Sequence, residues 1–235
     1  MLFRVGLENN VEGRSLAWAL EHPGCFAYGA DGDAALDNLP QAIWDYATWI
    51  ARHNQGVSWI SPGEIELSLE ETWQVYDVDE DFELVPEGYS VNAWFLHDWK
   101  PLTAQELERG LNLLAWGQAD LMEVAGGLSQ EVLYAPHPGE RGSIAGVLKH
   151  VGGAEWWYLD RLGLAMPRQE LPADPFKRLE DVRAHLVRIF PTLAGSKQVI
   201  GVNGEFWSPR KLLRRLVWHE RDHVFHVRQL ASRFR

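Results

Sequence analysis

Residues 214–230 read RRLVWHERDHVFHVRQL, and three of the nine histidines of the chain fall inside this stretch. Leu212, Leu216, His219, His223, His226 and Leu230 follow one another at steps of four, three, four, three and four, which places them on one face of a helix. Leu213, Val217, Val224 and Val227 form a second apolar row beside the first. Arg214, Arg215, Arg221 and Arg228 fall mostly on the other side, so the pattern predicts an amphipathic helix with a solvated arginine face. Ser208 is placed to cap it, with Pro209 at the first helical position. An imidazole buried without partners costs about 1–3 kcal/mol per unpaired group. Three of them on an inward stripe therefore demand water, carboxylates, backbone or a metal ion.

Working outward, residues 101–235 read as helices. Thr103 and Glu106 form a capping box for a helix running to about Val124, with Gly126–Gly127 at its end. A second helix runs from Ser143 to about Leu162. It contains Gly152–Gly153, which cost roughly 1 kcal/mol each against alanine, so close packing against a neighbour is expected there. A third covers FKRLEDVRAHLVRIFPTLAG, with a break near Pro191, and the fourth covers 208–232. Four amphipathic helices imply a four-helix bundle.

The first half has a different character. Residues 2–7, 15–20 and 25–29 read as short strands around a turn at Pro23–Gly24. A helix begins at Asp33, and EIELSLEET alternates as a strand, with Ile65, Leu67 and Leu69 on one face. DVDEDFELVPEG reads as an acidic loop, and YSVNAWFL as another strand. The fold class expected is an α+β domain over 1–98 followed by an all-α four-helix bundle over 99–235.

Charge follows the same division. Residues 1–100 hold 18 acidic and 4 basic side chains, and residues 101–235 hold 15 and 18, within a net charge of −11. The acidic half disfavours a nucleic-acid backbone as partner. A single cysteine, Cys25, excludes an intramolecular disulfide and any multi-cysteine zinc site within one chain. It reads as a packed residue. No run approaches the ~20 apolar residues of a membrane span, and the N-terminus has no signal-peptide pattern, so a cytoplasmic location is expected.

His219 and His223 are i, i+4 partners, and both rings can reach one ion. His150 in the second helix is the candidate third ligand. Three imidazoles with an open fourth position suit a catalytic divalent ion, Zn or Ni first, with Fe, Mn and Co also compatible. His226 stands one turn further as a fourth ligand, a supporting donor or a pocket wall. Glu155 and Glu220, together with Asp222, are candidates for a general base or for orienting a ligand, against the alternative of surface or salt-bridged carboxylates. Trp156, Trp157, Trp207 and Trp218 are candidates for the pocket wall.

SIAGVLKHVGGAEWWYLDRL and WSPRKLLRRLVWHERDHVFHVRQL resemble the DinB-like (DinB/YfiT) superfamily, over about residues 100–232. The resemblance implies a four-helix bundle that binds a divalent metal through His150, His219 and His223. That superfamily often has Gln three residues after the last ligand, where this chain has His226. WALEHPGCFAYGADGDAALDNLPQAIWDYATWI is similar to HicB-like domains through Pro23-Gly24-Cys25, Gly29 with Asp31, and Asp33-Ala34-Ala35-Leu36. The bundle resemblance implies a metal-dependent thiol S-transferase or hydrolase acting on a small molecule, such as a low-molecular-weight thiol, in a chain that could form a homodimer. The alternatives are a non-catalytic metal-binding protein or an antitoxin-like interaction protein.

Overall fold

The computed structural model describes residues 1–137 and 142–233. The chain forms two compact units: Met1–Lys100 with Val199–Lys211, and Pro101–Gln198 with Leu212–Arg235.

The first unit is built on a four-stranded sheet. Its strands are β1 (Leu2–Val11), β2 (Arg14–Ala19), β3 (Phe26–Gly29) and, after the helix α1 (Gly32–His53), β4 (Glu66–Gln74). The order is β3-β2-β1-β4, with β1 parallel to β4 and the other pairs antiparallel. Asp31 caps α1 through Ala34 N–H at 2.9 Å. The helix buries Leu39, Ile43, Tyr46 and Ile50, and Phe3, Val5, Leu16 and Trp18 are buried on the strands. Gly24 takes φ +81° in the expected turn, and Cys25 is 1% exposed, a packed thiol.

Three features of this unit depart from expectation. The acidic stretch is not a loop: β5 (Tyr76–Val78), β6 (Leu84–Val85) and β7 (Tyr89–Val91) pair as a second sheet in the order β6-β5-β7. The strand expected over 89–96 therefore stops at Val91. Leu69, expected on one face with Ile65 and Leu67, is 48% exposed on the edge strand β4. Thirdly, residues 199–211, expected with the helices, belong to this unit. They form the hairpin of β8 (Ile200–Val202) and β9 (Glu205–Trp207), joined by Asn203 and Gly204 with φ of 52° and 76°.

The second unit holds the helices α2 (Ala104–Gly126), α3 (Gln130–Tyr134), α4 (Ile144–Asp160) and α5 (Pro175–Ile189), and α6 (Pro209–Ser232) from Leu212 onward. Thr103 and Glu106 form the expected capping box of α2, and α5 ends before Pro191, where a 3₁₀ turn takes over. Ser208 Oγ accepts from Lys211 N–H at 3.1 Å, the expected cap of α6. Leu121, Leu148, Val151, Leu179, Val224, Val227 and Leu230 share one core, contributed by all four long helices. Gly110 admits α6 closely, since a Cβ there would lie 2.8 Å from Leu213 Cδ1.

Of the arginines expected on a solvated face of α6, only Arg228 is substantially exposed, its side chain at 39%. Arg214, Arg215 and Arg221 are 3%, 6% and 9% exposed. The Arg215 guanidinium sits 4.3 Å over the Trp218 ring and that of Arg221 5.9 Å over Phe225.

Candidate metal centre

Helix α4 contributes His150, and α6 contributes His219 and His223 one turn apart. His219 Nε2 lies 3.1 Å from His150 Nε2 and 3.2 Å from His223 Nε2. One ligand atom from each of the three lies within 4.8 Å of the other two. A tetrahedral ion with metal–nitrogen bonds of about 2.0–2.1 Å holds its nitrogens roughly 3.3 Å apart, so the spacing suits an ion bound on all three.

Protons alone satisfy the trio poorly. Each Nε2 has one in-plane site, either an N–H or a lone pair. His219 faces two imidazoles, and one in-plane site serves only one of them well. A cation between the rings accepts all the lone pairs at once. His223 sharpens the argument. Its Nδ1 is buried and has no hydrogen-bond partner among the described residues, so the ring is not held as a hydrogen-bonded core histidine from its other side.

The electrostatics favour neutral rings. Burial, then His223, His150 and Arg215, hold His219 well below the ordinary histidine value. Burial, then His150 and His226, push His223 down to about 3. Neutral imidazoles are the form that ligates. His226 is not one of the converging three; its ring lies 5.8 Å from that of His223.

Glu155 and Glu220 meet elsewhere. Both are buried, and both bond Arg183 of α5. Arg183 Nε and Nη2 donate to the two Glu155 oxygens at 3.0 Å, and Nη2 donates to Glu220 at 3.0 Å. Arg183 Nη1 also donates to Leu114 O at 2.6 Å. One guanidinium thus joins α2, α4, α5 and α6. Burial pushes Glu220 up to about 7, with Arg183 pulling down and Glu155 pushing up. Burial opposes the Arg183 charge, but Glu155 and Glu220 outweigh it, and its net direction is upward. Two carboxylates on one guanidinium leave an excess negative charge, which a proton on Glu220 relieves. Gly117 makes room for the triad: a Cβ there would lie 2.8 Å from Glu220 Oε2. Arg183 was not legible as a site residue, because one arginine on an amphipathic helix resembles any solvated one.

A pocket of about 600 Å³ opens beside the imidazoles, and its walls include His150, His219, Trp157 and Tyr158. Of the tryptophans expected as walls, Trp157 lines it and Trp218 lies 5.8 Å from His219. Trp156 turns to bond Met166 O at 2.7 Å. Trp207 belongs to the other unit, where the Lys211 ammonium lies over it. None of the described helices is long and apolar enough to cross a membrane.

No family model matches the chain, and no curated protein does. The HicB-like resemblance of the first unit thus gains no support. Among solved structures, the chain is similar to YfiT from Bacillus subtilis, described as a probable metal-dependent hydrolase with an unusual four-helix bundle topology. The likeness covers 57% of this chain and 90% of that one at 17% identity, with a TM-score of 0.45. It is a weak likeness, and the metal reading rests on the geometry of His150, His219 and His223.

Proposed function

We propose that the protein is a metal-dependent enzyme that holds one divalent ion on His150, His219 and His223 and acts on a small molecule in the adjoining pocket. The observation that carries this reading is the convergence of three Nε2 atoms from two helices beside an open cavity that His150 and His219 line. Bound there, an ion would supply Lewis acidity and lower the pKa of a water or thiol.

The protein's own groups do the remaining work. The depressed basicity of His219 and His223 keeps their lone pairs available. The Glu155–Arg183–Glu220 triad fixes α4 and α6, the two helices that carry the ligands, in mutual register. Neither carboxylate is free to act as a base while it bonds Arg183, so those two residues position the ligand helices. The DinB-like resemblance of 143–162 and 207–230 points in the same direction, to hydrolysis or thiol transfer. Zn and Ni suit three imidazoles with an open position best.

Elemental analysis of the purified protein tests the reading. About one divalent ion per chain is expected, and its loss in the His219→Ala/His223→Ala variant. A metal-free wild type that stays so after reconstitution would reduce the trio to a core cluster.

A further inference from the structure

We propose that the pocket beside the imidazoles selects a small molecule carrying a carboxylate or phosphate, which Arg178 and Lys149 receive. This names the substrate class of the proposed site and rests on the metal reading only for the reacting end of the molecule.

The argument starts from α4. Gly146, His150, Gly153, Ala154 and Trp157 recur at helical spacing and all line the pocket. Between His150 and Trp157 this face carries only Gly153 and Ala154, so a ligand can lie against the helix backbone. The bareness also brings in α5. A Cβ on Gly152 would lie 2.9 Å from Arg178 Cγ, and one on Gly153 would lie 3.6 Å from Arg178 Nη1. The double glycine thus seats an arginine across α4, about one helical turn (roughly 5 Å) beyond His150.

Arg178 is held there as a donor. Its Nε bonds Pro172 O at 2.8 Å, which fixes the plane of the guanidinium and leaves Nη1 and Nη2 for a ligand. Among the described residues Arg178 has no carboxylate partner, and neither has Lys149 one residue before His150. Among the described residues, no aspartate or glutamate lines the pocket. A cavity whose two cations have no carboxylate partner, and whose described lining residues include no acid, is suited to receive an anion. The guanidinium fork matches carboxylate and phosphate oxygens bidentately, and a cavity of this volume suits a small metabolite rather than a polymer.

Calorimetric titration of inorganic phosphate into the metal-free protein at pH 8 tests the proposal without the metal. Millimolar binding is expected, weakened about tenfold by Arg178→Ala and severalfold by Lys149→Ala. Arg178→Lys should retain part of the affinity. Lys149 is exposed, so its variant reports on binding even if the change at Arg178 disturbs folding. Absence of binding, or equal affinity in wild type and Lys149→Ala and Arg178→Ala, would overturn the receptor. Cobalt loading, followed by its visible spectrum, tests the other reading separately. Cobalt lost in His219→Ala/His223→Ala beside unaltered phosphate titrations keeps the centre apart from the receptor. Arg178-dependent phosphate binding in a wild type that takes up no cobalt would sustain the receptor and sink the metal centre.

Discussion

Arg183 on α5 and Glu220 on α6 meet fully enclosed, with Nη2 3.0 Å from both carboxylate oxygens, one residue past the candidate ligand His219. The same guanidinium binds Glu155 on α4 and the Leu114 carbonyl on α2. Removing it strands two buried carboxylates and a carbonyl. Arg183→Ala should therefore destabilise the helical unit by about 3–5 kcal/mol, read as a lower urea midpoint. A midpoint within about 0.5 kcal/mol of wild type would mean that water replaces the guanidinium freely.

Metal removal should behave differently. The apolar core shared by α2, α4, α5 and α6 and the Arg183 triad do not involve the three histidines. Stripping the ion by chelation should lower Tm by the binding linkage alone and leave far-UV circular dichroism intact. Unfolding on chelation would instead make the ion structural, and the enzymatic reading would lose ground to a non-catalytic one.

The glycine pair on α4 separates two effects. Gly153 has space for a methyl group, 3.6 Å from Arg178 Nη1, whereas at Gly152 the methyl would meet Arg178 Cγ at 2.9 Å and Leu179 N at 3.2 Å. Gly153→Ala should stabilise by up to about 1 kcal/mol through helix propensity. Gly152→Ala should destabilise by about 1–3 kcal/mol through overpacking. Thermal melts of the two variants side by side check the sign of each, and like signs would refute the packing argument.

The helical half was largely legible because its signals are local and periodic. The stripe through Leu212, His219 and Leu230, the cap at Thr103 and the break at Pro191 each act within one or two turns. His150 could be singled out because it was the one histidine near the packed face of α4. What failed was partner choice. Arg214, Arg215 and Arg221 look like solvated charges by spacing, yet they are buried, since a guanidinium on a long stem can lie against aromatic rings. Arg183 and Arg178 gain their roles from residues on other helices, which no local pattern reports. The β8–β9 hairpin did carry a signal, Asn203-Gly204 between apolar flanks, a favoured two-residue turn. Its position inside a run of helical periodicity masks it. The acidic stretch 77–88 hid its strands because charge there outweighs alternation.

His97 gives the first unit a pH dependence of its own. It is 4% exposed, and its Nδ1 has no hydrogen-bond partner among the described residues. Burial, then the Arg210 charge, push its pKa from 6.5 down to about 4, with Asp98 pulling the other way. In the unfolded chain the ring titrates near 6.5. Above that pH it is neutral in both states and contributes no pH dependence. Between about 6.5 and 4 the unfolded state binds a proton that the folded state refuses, so stability falls as pH falls. The loss levels off below about 4, at roughly 3 kcal/mol in total. Urea unfolding of the wild type and of His97→Gln between pH 7.5 and 4.5, followed through tryptophan fluorescence, measures it. The stability of the variant should decline less steeply below pH 6.5 than that of the wild type. Parallel slopes for the two proteins would show that His97 takes up its proton in the folded state as readily as in the unfolded one.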